Sequence, residues 1–118
     1  MATPNLINLD TITPVLAAGA VTTSRADIID VSAEFVAKVN SLIIANIDGT
    51  NAADITVEVS ADNGSNYYAI AKTVSVPADA SIVIIGKDNS IYLDETDLLA
   101  VTASANSDLT YAVSYELL

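Results

Sequence analysis

The chain has 118 residues, of which 52% are hydrophobic, which is enough for one domain with its own apolar core. It contains neither cysteine nor histidine, so disulfides, Cys/His zinc sites and histidine-dependent nucleophiles are excluded. Its net charge of −11 is repelled by nucleic-acid phosphates and by anionic membranes. We therefore expect a non-enzymatic protein that uses no cofactor and binds neither nucleic acid nor membrane.

Residues 1–24 differ in composition from the remainder of the chain. Asn, Thr, Pro and Ala are frequent there, with Pro4, Pro14 and Gly19 as breakers of regular structure. Short apolar pieces punctuate this segment, at Leu6-Ile7, Ile12 and Val15-Leu16. We predict an extended N-terminal arm, including up to two short strands, that lies on a neighbouring subunit; a frayed terminus is the alternative. The N-terminus lacks the basic segment and apolar run of a signal peptide. No apolar stretch approaches the ~20 residues of a membrane span. We therefore expect the chain to fold in a cytoplasm.

The next stretch is ambiguous between two kinds of secondary structure. Residues 27–38 partly fit a helical spacing, but their branched side chains favour a strand at 27–31 that is followed by a turn at 32–35. From residue 39 onward, short apolar or alternating runs are separated by Gly-, Asp- and Asn-rich turns. The predicted strands are 39–47, 54–60, 67–76, 81–85, 91–93, 98–104 and 109–117. Seven or eight short strands at this spacing predict an all-β fold, an antiparallel β-sandwich or jelly roll over residues 25–118.

Three of these strands carry more detailed predictions. Residues 39–47 are apolar on both faces in their middle, which is typical of a central strand covered on both sides. Residues 81–85 are nearly all apolar, which predicts a buried strand. Lys72 interrupts an otherwise apolar face of 67–76, which predicts a β-bulge or a change of environment in the middle of the strand.

The densest group of carboxylates is the predicted loop 94–97, Asp-Glu-Thr-Asp. Calcium takes six to eight oxygen ligands, but the loop lacks the fixed spacing of a calcium-binding motif. We therefore favour a solvated turn and predict no metal site. Two carboxylates can also hydrolyse a glycosidic bond, but nothing singles out a pair among Asp94, Glu95, Asp97 and Glu116.

The tyrosines are the remaining candidates for ligand contact. Tyr111 and Tyr115 share a face of the last predicted strand, where packing is the favoured interpretation. Tyr67 and Tyr68 are adjacent, so one of them faces out of its strand and is a candidate interface residue. A carbohydrate-stacking platform is disfavoured because tryptophan is absent.

A pattern of seven segments runs through residues 39–118. The segments are 45–49 (ANIDG), 55–57 (ITV), 69–72 (AIAK), 76–81 (VPADAS), 91–97 (IYLDETD), 99–104 (LAVTAS) and 113–116 (VSYE). In this pattern the chain resembles small virion structural proteins of tailed bacteriophages, especially those of aquatic phages. The resemblance contains no catalytic signature, and residues 1–38 add little to it.

The resemblance implies a non-enzymatic β-sandwich that oligomerises in a virion. We expect a capsid decoration (cement) protein, a trimer that binds the major capsid protein, with the arm of residues 1–24 and one sheet edge gripping neighbouring subunits. A neck, tail or baseplate component is the alternative. A third hypothesis is a carbohydrate- or cell-surface-binding module, in which Tyr67, Tyr68 and the acidic loop contact the ligand.

Overall fold

Branched and apolar stretches pair into two antiparallel sheets in the computed structural model, which describes residues 11–118. The strands of this part of the chain are β1 (Thr13–Val21), β2 (Ala26–Asp30), β3 (Ala37–Asn46), β4 (Ala53–Ser60), β5 (Tyr68–Val76), β6 (Ser81–Ile85), β7 (Ile91–Leu93), β8 (Leu98–Ala103) and β9 (Leu109–Leu117). One turn of 3-10 helix, Lys87–Asn89, precedes β7. Among these residues no helix is long and apolar enough to cross a membrane.

The order of the strands determines which of them lie at sheet edges. Sheet A has the order β1-β9-β3-β6, and β7 pairs with the opposite end of β3, on the same side as β6. Sheet B has the order β2-β8-β4-β5. The edges of sheet A are therefore β1 and the β6/β7 pair, whereas those of sheet B are β2 and β5.

The core lies between the two sheets and is aliphatic. Alternating residues of the central strands point inward and are almost completely buried. The largest of them are Leu42, Ile44, Ile55, Val57, Leu99, Val101, Leu109 and Val113. Burying each such side chain contributes about 1.5–3 kcal/mol, which stabilises the domain without disulfides.

The two packed antiparallel sheets confirm the predicted all-β sandwich. Residues 27–31 lie in β2 and the residue that follows it, and the Phe35 amide donates to the Ser32 carbonyl at 3.2 Å, which closes the predicted turn. The pairing of β4 with β5 shifts register on both sides of Val57, so the predicted bulge is present near Lys72. The neighbouring Thr73 has a φ of 47°, a value that accompanies such irregularities.

Two burial predictions were wrong. Residues 81–85 form β6 at an edge of sheet A, where Val83 is 64% exposed. Ile43, in the middle of β3, is also exposed on the outer side of the sheet. The reason is the same at both positions: sheet B covers the inner face of sheet A, and none of the described residues covers the outer face.

The N-terminal segment is divided by the structure. Residues 13–21 pair one to one with 117–109, so this part of the predicted arm is the edge strand β1 of the sandwich. Leu6 and Ile7, for which we predicted contacts with a neighbouring subunit, lie outside the described residues.

Candidate assembly surfaces

The candidate interface residues predicted from the sequence lie on different sheets. Leu16 is 74% exposed on the outer side of β1, and Ile12 is exposed just before that strand. Val15 is half-buried opposite Tyr115. Tyr67 and Tyr68 lie at the start of β5 in sheet B. The structure therefore does not bring the two groups into one surface.

The outer side of sheet A has a continuous patch without charged side chains, which we call the uncharged face. Strand alternation turns its residues away from the core, and the register aligns them in three rows across the sheet. The rows are Leu16–Ser114–Ser41, Ala18–Ala112–Ile43–Val83 and Ala20–Thr110–Ala45–Ser81. In a chain with 15 acidic residues, this is an area where another protein can approach without meeting a carboxylate.

The relief of the uncharged face is set by side-chain size. Leu16, Ile43 and Val83 protrude, whereas alanines lie between them. The small residues leave a shallow groove of about 430 Å³, lined by Ala18, Gly19, Ile43, Ala45, Thr110, Tyr111 and Ala112. Polar residues border the face at one end, where Lys38 of β3 is paired with Glu116 of β9. An apolar centre with a polar border is typical of protein–protein contact surfaces.

Gly19 permits the close packing of β1 on β9. It lies opposite Tyr111, and a Cβ atom at this position would be 3.2 Å from the Tyr111 Cε1 atom. A glycine therefore leaves room for the ring against the edge strand. The half-buried ring also packs against the core, so it connects β1 to the sandwich.

A second, smaller pocket of about 260 Å³ lies on the side of the sandwich where β5 faces β7. It is lined by Val59, Ser60, Ala61, Ile70, Ile91, Tyr92, Leu93 and Asp97. Ile70 and Tyr92 are also exposed to solvent. The pocket has an apolar wall from each sheet, but it contains no group of titratable residues placed for chemistry.

A charged cluster on sheet B involves one of the two adjacent tyrosines. The Arg25 guanidinium donates to both carboxylate oxygens of Glu58, from Nε at 3.0 Å and from Nη2 at 3.3 Å. It also stacks on Tyr67, 4.0 Å from the ring centroid, and the Tyr67 hydroxyl donates to Asp27 at 2.9 Å. Tyr67 is thus held in the cluster, whereas Tyr68 is 70% exposed.

The cluster perturbs the ionisation of two of its members. Burial is the larger cause that raises the pKa of Tyr67, and the hydrogen bond to Asp27 raises it further. The hydrogen bond to Glu58 is the main cause that raises the pKa of Arg25. Sequence reasoning missed this cluster because its partners are 33 and 40 positions apart along the chain.

The acidic turns use their carboxylates to hold the backbone. Asp48 accepts from the amides of Thr50 and Asn51, and Asp62 accepts from the amide and side chain of Asn66. These hydrogen bonds lower the pKa of both aspartates. In the acidic loop, the Asp97 carboxylate accepts from the Asp94 amide at 2.8 Å, and Glu95 accepts from the amide of Glu34 at 2.9 Å. The part of the chain described here contains no group of three or more potential metal ligands.

Comparison with known proteins supports the fold. No family model and no curated protein matches this chain. A chain from the structure described as "Bacillus endospore appendages form a novel family of disulfide-linked pili" matches with a TM-score of 0.52 and 14% sequence identity, and the match covers 98% of this chain and 96% of that chain. At this identity the match shows a shared β-sandwich architecture. The disulfide link named for that protein has no counterpart in this chain, which has no cysteine.

Proposed function

We propose that this chain is a non-enzymatic structural subunit that binds another protein through the uncharged face of sheet A. From the sequence pattern of residues 39–118, we further propose that the assembly is the virion of a tailed bacteriophage, in which the subunit decorates and stabilises the capsid. The uncharged face is the observation that carries the proposal.

The size of this face fits a contact surface. Four strands spaced about 4.8 Å apart and three rows of outward residues span roughly 400 Å². A standard interface buries about 800 Å² per partner, so the face supplies about half of one. The residues that border the face are the nearest source of the remaining contact area.

The charge distribution favours a partner of particular chemistry. A subunit of net charge −11 binds most readily to a neutral or basic surface, and like charge suppresses other contacts. The absence of carboxylates from the three rows lets an apolar partner surface dock there without burying an unpaired charge. A shell protein with a neutral, apolar docking site meets this requirement.

The proposal is tested by stoichiometry and by one matched pair of variants. In purified particles, we expect close to one copy per shell subunit; a few per cent would place the protein in the neck or tail instead. Ile43→Lys introduces a charge in the middle row, and Val74→Lys introduces one in β5 at a residue of the same 38% exposure. We expect Ile43→Lys to abolish binding to empty shells and Val74→Lys to retain it. Equal binding by both variants would contradict a role for the uncharged face.

A second candidate function is a subunit of a self-assembling surface appendage. The observation that favours it is the structural match to a pilus protein over nearly the full length of both chains. Electron microscopy of the concentrated purified protein separates the two candidates. Regular filaments would support an appendage subunit, whereas discrete particles would support a decoration protein.

A further inference from the structure

The edge strands of the two sheets differ in how well they are protected against pairing with another strand. Natural proteins protect exposed edges with charges, bulges or interruptions, because an unprotected edge is a template for another chain. In sheet B, β2 has two aspartates and a register shift between Asp27 and Ile29. The other edge, β5, has Lys72 and two register shifts in its pairing with β4. Both edges of sheet B are therefore protected.

The edge strand β1 of sheet A has little of this protection. Its nine residues, TPVLAAGAV, contain no charged side chain and pair with β9 without a register shift. Residues 11–26 contain no acidic residue, so a second negatively charged chain that approaches this edge meets no carboxylate from this segment. The opposite edge of the sheet is less regular, because the turn Lys87–Asn89, with Lys87 and Asp88, separates β6 from β7.

We propose that β1 pairs with β1 of a second copy of this chain, in antiparallel orientation across a two-fold axis, so that sheet A continues from one subunit into the other. The partner is a second copy because two identical uncharged strands, each without a register shift, can pair along their length with no charged side chain in the contact. Two-fold pairing is also the commonest way in which identical subunits associate. This contact uses the edge of sheet A and leaves most of the uncharged face free for another partner.

Pro14 indicates the register of this pairing. A proline in an edge strand is tolerated where its nitrogen faces away from the neighbouring strand. Backbone alternation then turns the N–H and C=O groups of Leu16, Ala18 and Ala20 away from β9. With Ala18 opposite itself, Leu16 lies opposite Ala20, about six backbone hydrogen bonds form, and Pro14 lies beyond the paired segment.

This register places small side chains on the two-fold axis and makes Ala18 a sensitive position. In Ala18→Lys, two ammonium groups would lie directly opposite each other, which destabilises a strand pair. Since Ala18 is exposed on the outer side of the subunit, the variant should fold normally. Ala69→Lys is the matched control, because Ala69 is an exposed alanine in β5, the edge of sheet B.

The test is sedimentation equilibrium of the purified full chain over a roughly hundredfold range of concentration, since a dimer population follows mass action. For the wild type we expect a species of twice the subunit mass of 12.2 kDa. Ala18→Lys should raise the dissociation constant of the dimer about tenfold or more. Ala69→Lys should leave this constant unchanged. Ile43→Lys and Val83→Lys should also dimerise, because they change the uncharged face and β6 but not β1. The proposal would be overturned by a wild-type protein that is a monomer or a trimer. It would also be overturned if Val83→Lys or Ile43→Lys lost the dimer and Ala18→Lys kept it.

Cross-linking gives a second measurement that does not depend on weakening the contact. The natural chain has no cysteine, so Ala18→Cys introduces a unique thiol. A short bifunctional thiol reagent should link two copies of Ala18→Cys efficiently and should not link Ala69→Cys. Equal linking of both would overturn the pairing. Neither measurement uses particles or shells. Failure of the β1 pairing is therefore distinguishable from failure of the proposed binding to a shell.

Discussion

Replacing Asn46 with alanine should remove the main polar link between the end of β3 and sheet B. The Asn46 side chain is 3% exposed. Its Nδ2 atom donates to the carbonyls of Val76 and Asn51, both at 2.9 Å, and its Oδ1 atom accepts from the Asp48 amide at 2.9 Å. One side chain thus holds β5 of the opposite sheet and the turn that follows β3.

The magnitude follows from what the substitution leaves unpaired. The Val76 carbonyl is bonded in a buried position, so its loss of a partner costs about 1–3 kcal/mol. The Asn51 carbonyl and the Asp48 amide lie in partly buried bonds, where water replaces part of each interaction, at about 0.5–1 kcal/mol each. The expected decrease in the free energy of unfolding is therefore about 2–5 kcal/mol, or about 8–20 °C in melting temperature for a domain of this size.

Denaturant unfolding monitored by circular dichroism measures this loss. Asn40→Ala is the matched control on the same strand, because Asn40 makes one partly buried bond to the Glu116 side chain. We expect Asn40→Ala to cost less than Asn46→Ala, because Asn40 makes one bond and solvent replaces part of it. We expect Asn46→Asp to cost at least as much as alanine at neutral pH, since a carboxylate cannot donate to the two carbonyls. A loss in Asn46→Ala no larger than that in Asn40→Ala would refute the reasoning.

Three further predictions follow from the other contacts. Gly19→Val should destabilise the protein by about 1–3 kcal/mol, because its Cβ atom would lie 3.2 Å from the Tyr111 ring, which must then move to make room. Thermal unfolding measures this loss. The hydrogen bonds of Asp62 lower its pKa in the folded state. They therefore stabilise the fold fully above the unfolded pKa of about 4, and this stability is lost as pH falls through the folded pKa. Asp62→Leu should show a smaller loss of stability than the wild type between neutral and acidic pH. The raised pKa of Tyr67 predicts a tyrosine that ionises at unusually alkaline pH in absorbance titration, and Tyr67→Phe should remove that component.

Each of these predictions has a control within the chain. Gly49→Val adds a side chain that meets Asp79 at 3.5 Å or more, so it should cost less than Gly19→Val. Ser75→Leu changes an exposed residue that does not titrate and takes no part in the hydrogen bonds of Asp48 or Asp62, so its pH dependence should equal that of the wild type. Asp27→Asn should shift the alkaline tyrosine component, whereas Tyr68→Phe should leave it in place. A cost for Gly49→Val as large as that for Gly19→Val would contradict the tight contact of Gly19 with Tyr111. A pH dependence altered by the control substitution would contradict its assignment to Asp62. Loss of the alkaline component in Tyr68→Phe would contradict its assignment to Tyr67.

The sequence by itself determined where the strands lie and what kind of fold they form. Branched residues with a period of two, separated by Asp-, Asn- and Gly-rich turns, predicted seven strands from residue 39 onward, and each is present within a few residues of its predicted bounds. These signals are local, because strand propensity and turn chemistry depend on neighbouring residues. An irregularity near Lys72 was also predictable, since a charge on an otherwise apolar face indicates a bulge or a change of environment within the strand.

Only the tertiary structure decided which strands are central and which lie at an edge. The apolar run of β6 has the same composition as a buried strand, and its exposure depends on pairing with β3, about 40 residues earlier in the chain. In the same way, β1 lies at an edge because β9 pairs with it on one side. The contact of Arg25 with Glu58 and Tyr67 likewise needs the order of the strands in sheet B. Strand order is determined by packing between distant segments, which no local pattern encodes. The uncharged face and the edge position of β1 among the described strands both follow from that order.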